Sequence, residues 1–146
     1  MHILIAPNAF KHSLSANEIA EAIQEGLKRS GATCTSECFP IADGGDGTGH
    51  LIVEKCGGLW HKYDVHDPLG RLIKAPLGII DQGKTAVIEM ADASGIRLVR
   101  SDEMLPLMAS SFGTGELIRF ALDRNVSRII IGLGGSATVD GGIGIL

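Results

Sequence analysis

HILIAPNAFKHSLSANEIAEAIQEGLKRSGATCTSECF, residues 2–39, decides the fold. It opens on the short apolar run His2–Ala6, stopped by Pro7, which has the continuous hydrophobicity of a buried strand. A loop follows through Ser13, and Ser15-Ala16-Asn17-Glu18 then carries the capping-box pattern that starts a helix. Ile19, Ile23 and Leu27 recur every four residues beyond it, so the helix is expected to run to about Ser30, with Gly31 as its stop. Residues 32–39 read as a second strand. Strand, helix, strand in that order is a βαβ unit and predicts the start of a Rossmann-like parallel sheet in an α/β protein.

Outward from this unit comes the loop Asp43-Gly44-Gly45-Asp46-Gly47-Thr48-Gly49, then a helix expected over His50–Cys56 and closed by Gly57-Gly58. The texture changes there. Residues 59–66, 71–80 and 84–90 are extended stretches joined by the turn sequences Asp67-Pro68-Leu69-Gly70 and Asp81-Gln82-Gly83, which predicts an antiparallel meander. The expected organisation is therefore residues 1–57 as the first part of a Rossmann-like α/β domain. Residues 58–146 would be a meander plus a helix, a strand and a Gly-rich loop, part of a second α/β domain. Ala91–Leu107 reads as a linker, and Ser110–Glu116 opens a helix with Leu117, Ile118, Ala121 and Leu122 on one face. Arg128–Gly132 is a buried, parallel-type strand that runs into a second Gly-rich loop. Asp140–Leu146 resembles the entrance of a helix whose body would follow, so a longer protein is expected.

Composition narrows the function classes. Lys and Arg number 13 against 17 Asp and Glu, a net charge of −4, which offers no basic face for a nucleic acid. Aromatics are 4% of the chain, too few for a base-stacking platform. No apolar run approaches the roughly 18 residues of a membrane span, and the first residues lack the charged region of a secretory signal. A cytoplasmic protein without nucleic-acid or membrane partners is expected. Cys34, Cys38 and Cys56 form neither a disulfide set nor a zinc motif and are read as buried free thiols. Glycine is the anomaly: 20 of 146 residues, about twice the usual ~7%.

The glycines gather where chemistry is expected. Gly132-Leu133-Gly134-Gly135-Ser136-Ala137-Thr138-Val139-Asp140 follows an apolar strand, and such a loop brings backbone amides and hydroxyls close to an anion. It lacks the Gly-Lys-Ser/Thr of a Walker A loop. It fits the dinucleotide pattern G-x-G-x-x-A, yet Ser136, Thr138 and Asp140 are residues a dinucleotide site does not need. Asp43-Gly44-Gly45-Asp46-Gly47-Thr48 pairs two carboxylates with an amide-rich backbone, suited to a Mg2+-nucleotide, or else to capping a turn and a helix. An EF-hand is excluded by the missing Glu at its twelfth position. Lys11 can offset phosphate charge. Thr114, in Gly113-Thr114-Gly115, is equally suited to an N-cap or a ligand contact. Glu89, Asp92 and Ser94 are candidates for a polar pocket. The residues alone point to a phosphotransferase or to an anion-binding α/β protein.

Four motifs in order carry a resemblance: Ile5-Ala-Pro-Asn-Ala-Phe-Lys11-His-Ser-Leu-Ser-Ala16, Pro40-Ile-Ala-Asp-Gly-Gly-Asp-Gly-Thr48, Ser111-Phe-Gly-Thr-Gly-Glu-Leu-Ile118 and Gly132-Leu-Gly-Gly-Ser-Ala-Thr-Val-Asp-Gly-Gly142. Together they resemble the bacterial glycerate kinase family, type I. The resemblance implies a longer, two-domain α/β kinase that transfers the γ-phosphate of ATP to D-glycerate with Mg2+. It leaves room for a homo-oligomer. Against the family pattern, Asn8, Ala9 and His12 stand for Asp, Ser and Gly, Val139 for Asn, and Asp46 for Glu. On this reading Lys11, Asp43 and Asp140 are the catalytic candidates, and Asp43 and Asp46 the metal candidates. Gly44, Gly45, Asp46, Thr48, Gly113, Thr114, Gly134, Gly135, Ser136 and Thr138 are the binding candidates. A non-catalytic anion-binding module and a dinucleotide-binding oxidoreductase remain as alternatives.

Overall fold

A computed structural model describes residues 1–10 and 13–146. The chain falls into two compact units, Met1–Asp43 and Gly44–Leu146.

The first unit is the βαβ element. Strand β1 (His2–Ile5) pairs in parallel with β2 (Thr35–Cys38), His2 opposite Thr35 and Ile5 opposite Cys38. Between them runs α1 (Ala16–Arg29). The capping box is present: the Glu18 amide donates to Ser15 Oγ, and the Ser15 amide donates to Glu18 Oε2 at 2.7 Å. That hydroxyl and amide hold the Glu18 carboxyl below its ordinary range. The helix ends at Ser30, and Gly31 turns away with φ +72°. Ala16, Ile19 and Ala20 are buried and Leu27 is half-buried, while Ile23 is exposed.

The second unit is a four-stranded mixed sheet. Its strands are β3 (Leu59–His66), β4 (Leu72–Ile80), β5 (Thr85–Glu89) and β6 (Arg128–Gly132), in the order β3-β4-β5-β6. The expected meander forms, with β3 antiparallel to β4 and β4 to β5. The pair β5 and β6 is parallel, and their carboxyl ends coincide because Glu89 faces Gly132. Every residue of β5 is buried, so the alternation of a pleated strand feeds two cores. Ala86 and Ile88 join Val65, Ala75, Leu77, Leu117 and Ala121. Val87 joins Val53 and Ile80. These two clusters seat α4 (Phe112–Asp123) and α2 (Thr48–Lys55) on opposite faces of the sheet.

Several local expectations change. Ala91–Leu107 is not a linker throughout: Met90–Ser94 is a helix, α3, with all five residues buried. A single turn is too short to show a period, which is why the sequence hides it. Both α2 and α4 begin earlier than expected, at Thr48 and Phe112, so Gly113-Thr114-Gly115 belongs to a helical turn. Helix α2 packs on β4 and β5, within the Gly44–Leu146 unit. Leu122 is 58% exposed, off the buried stripe of Leu117 and Ala121. Cys34 and Cys38 are half-buried and Cys56 is exposed; all three are free. Among the described residues no helix is long and apolar enough to cross a membrane.

The contrast within α4 is measurable. Leu117→Ala removes a side chain with no exposed surface and should lower stability by about 3 kcal/mol, whereas Leu122→Ala should change it by less than about 0.5 kcal/mol. Denaturant unfolding of the two variants checks this.

Candidate functional site

In open α/β sheets ligands collect beyond the carboxyl ends of parallel strands. Here that position is the end shared by β5 and β6, and two glycine-rich loops of the second unit meet there. The Gly134 amide donates to the Gly44 carbonyl at 2.8 Å. A Cβ on Gly134 would stand 2.5 Å from Gly45 Cα, so only glycine permits this approach. A Cβ on Gly132 would likewise meet the Gly44 oxygen. The glycines of the G-x-G pattern are thus spent on packing against protein backbone.

The segment after α3 joins the same cluster. Ile96 donates to the Gly135 carbonyl at 2.8 Å, and Ala137 donates to the Ser94 carbonyl at 2.9 Å. In the loop itself Ser136 Oγ and Thr138 Oγ1 are 2.9 Å apart, and Ser136 Oγ accepts from the Thr138 amide. Both residues are half-buried. Gly135 has φ +73°.

The opposite wall is the start of α2. Its N-cap is Gly47, a left-handed residue with φ 88° and no side chain to close the helix. A carboxylate from another strand takes that place. Glu89, 2% exposed at the end of β5, accepts from the amides of Gly47 (3.0 Å), Gly49 (2.5 Å) and His50 (3.3 Å). Asp46 therefore does not cap α2. Thr48 Oγ1 accepts from the Gly44 amide at 3.0 Å and braces the loop from within.

Charge accumulates at this wall. Arg97 pairs with Asp92 and lies 3.5 Å from Asp46 Oδ1. Asp92 is 8% exposed, and its Oδ2 is buried with no hydrogen-bond partner among the described residues. Burial pushes its carboxyl up to about 6; the Arg97 guanidinium opposes this, and the neighbouring Glu89 and Asp46 charges add to it.

The remaining candidates fall elsewhere. Asp140 Oδ2 accepts from the Ser111 amide and hydroxyl, each at 2.8 Å, and from the Gly144 amide; Oδ1 accepts from Gly142. Burial alone would raise its carboxyl, but these hydrogen bonds prevail and hold it below its ordinary value. Asp140 therefore ties the end of the Gly-rich loop to the start of α4. Thr114 is fully buried, with its Oγ1 2.7 Å from Ser94 Oγ, and a Cβ on Gly113 would collide with the His66 carbonyl. These two residues pack α4 down. Asp43 is exposed at the end of the first unit. Lys11 lies outside the described residues.

Sequence reasoning missed Arg97, a lone cation without a motif. It found Glu89 only as a pocket residue, although an acid ending the apolar run Thr85–Ile88 was the available signal. For Mg2+, no group of three or more His, Cys, Asp or Glu is arranged to hold a metal among the described residues. Mg2+ ordinarily takes one or two carboxylates plus substrate phosphates, and the exposed Asp46 fits that smaller role.

Comparison with known proteins follows the same lines. Residues 3–146 match the glycerate kinase family. All 146 residues align, at 47% identity, with 39% of a glycerate kinase of Haemophilus influenzae. They align at 49% identity with 38% of a glycerate kinase of Bacillus subtilis, and at 46% with 38% of the glycerate 2-kinase of Escherichia coli. A crystallised Salmonella typhimurium LT2 protein described as a glycerate kinase 2 superposes with a TM-score of 0.79 at 46% identity, over 99% of this chain and 39% of that one. The chain spans just under two fifths of the relatives it matches.

The raised carboxyl of Asp92 gives a pH signature. The folded chain holds this proton between pH 3.8, the ordinary value, and about 6, so stability falls as pH rises through that window. Asp92→Asn should flatten the fall; urea unfolding from pH 4 to 7 of both proteins reads it.

Proposed function

Because the chain belongs to the glycerate kinase family, we propose that the full-length protein transfers the γ-phosphate of ATP to D-glycerate, with Mg2+ accompanying the nucleotide. The observation that carries this reading is the seating of Gly44-Gly45 on Gly132–Gly135 at the shared end of β5 and β6. It brings the Asp46 carboxylate beside a loop rich in glycine and hydroxyls. Phosphoryl transfer asks the protein mainly for positioning and charge neutralisation, and these two loops supply groups for both.

On the amide side, Gly135, Ser136 and Thr138 are the residues proposed to meet phosphate oxygens, and Gly134, whose amide is bonded to the Gly44 carbonyl, seats the loop. On the acidic side, Gly44, Gly45 and Thr48 set the loop, and Asp43 and Asp46 are the residues that would hold Mg2+. When bound, the cation neutralises charge on the transferring group. Lys11 is proposed as a further positive charge able to offset phosphate. Asp140 is assigned to fixing the Gly-rich loop, and Gly113 and Thr114 to seating α4 beneath it. In the full-length enzyme we place the βαβ element in a Rossmann-like domain and the mixed sheet in a second α/β domain, with α2 on the second side, so the boundary falls at Asp43 and not after residue 57. The chemistry proposed is that of a cytoplasmic enzyme acting on small molecules.

The test is a coupled assay on full-length protein. ADP should form only when D-glycerate and Mg-ATP are both present; release no faster than in buffer, with glycerate and other small hydroxy acids, overturns the reading. Asp46→Asn should lower kcat by about two orders of magnitude with little change in Tm. Gly134→Ala, by forcing the two loops apart, should abolish turnover, which separates a packed loop pair from a tolerant surface turn.

A further inference from the structure

We propose that Glu89 is a positioning residue for phosphoryl transfer: its buried carboxylate fills the anion position at the N-terminus of α2 and sets the loop that presents Asp46. This rests on the functional reading above.

A helix N-terminus at a strand end is ordinarily a phosphate site, because its first amides lack partners and carry partial positive charge. Helix α2 is in the right place, at the end of the Gly44–Gly47 loop. Its first amides are already taken. Glu89 Oε2 accepts from Gly47, and Oε1 accepts from Gly49 and His50. The carboxylate is 2% exposed and arrives from β5, forty residues along the chain, so no solvent or ligand displaces it cheaply. The approach is also sterically closed: a Cβ on Gly49 would lie 2.9 Å from Glu89 Cγ.

Two consequences follow. The phosphate chain is denied the end of α2 and is left to the neighbouring Gly134–Thr138 loop, which carries the Ser136 and Thr138 hydroxyls. The loop from Gly44 to Gly47, which has no side-chain cap of its own, takes its geometry from Glu89 at one end and from Gly134 at the other. Asp46 lies between these two fixed points and reaches Arg97, itself held by Asp92. Moving Glu89 would move Asp46 without touching substrate.

The experiment uses the full-length enzyme with Glu89→Gln and, independently, Gly49→Ala, which displaces the Glu89 side chain without changing its charge. Amide hydrogen exchange over residues 47–50, thermal melting, kcat and the KM of each substrate are measured. Both variants should remain folded, exchange faster at residues 47–50, and lose about 100-fold in kcat, the usual cost of a misplaced group, while the KM for ATP stays within about threefold. A lower Tm with kcat near wild type would make Glu89 a plain helix cap and overturn the proposal. So would a KM for ATP raised tenfold or more at unchanged kcat, the mark of a direct nucleotide contact. Unchanged exchange in both variants overturns it as well. Wild-type enzyme inactive on glycerate would sink the functional reading and the catalytic half of this proposal, and the exchange data decide the positioning half separately.

Discussion

A carboxylate at the buried end of one strand closes a helix that has no cap of its own. Glu89 does this for α2, and the arrangement depends on β5 being buried along its whole length. A buried carboxylate needs several donors to offset the loss of water, and each amide bond to a charged group contributes about 1.5–3 kcal/mol. Gly47, Gly49 and His50 supply those donors. Once they are committed, the end of α2, the Gly44–Gly47 loop and the Gly132–Gly135 loop form one backbone-bonded layer over the sheet.

The same layer separates charge. Asp46 and Asp92 both pair with the guanidinium of Arg97, and the Glu89 charge lies close enough to act on Asp92. Burial, helped by the neighbouring Glu89 and Asp46 charges, outweighs the Arg97 guanidinium and raises the Asp92 carboxyl to about 6. Asp140 has the opposite outcome at the far end of the loop, where amides and a hydroxyl surround it. Two aspartates of one unit are driven in opposite directions by what their oxygens meet.

Much of this was legible in the residues. The βαβ start was written in the stop at Pro7, the Ser15–Glu18 box and Gly31, all local signals whose physics needs no partner. The meander was written in two turn sequences between extended runs. The Gly-rich loops were recognised as loops, and the resemblance to a kinase family rested on them. The α3 turn was not legible, because Met90–Ser94 is too short to show a helical period and is helical only within its packing. Leu122 was misplaced because a helical stripe fixes a face but not its edges, which depend on what packs there.

Sequence by itself determined the strand and helix order, the glycine positions and the stock of carboxylates and hydroxyls. Tertiary structure decided what each of them is for. Thr114 looked like a cap or a ligand and is sealed against Ser94. Asp46 looked like a helix cap and is freed from that duty by Glu89, forty-three residues away. Glycines 132 and 134 looked like a dinucleotide fingerprint and instead seat a second loop. The reason is the range of the forces. Propensity and capping act within a few residues, whereas the partner of a buried donor or acceptor is whatever the fold brings within about 3 Å, and no spacing rule encodes that.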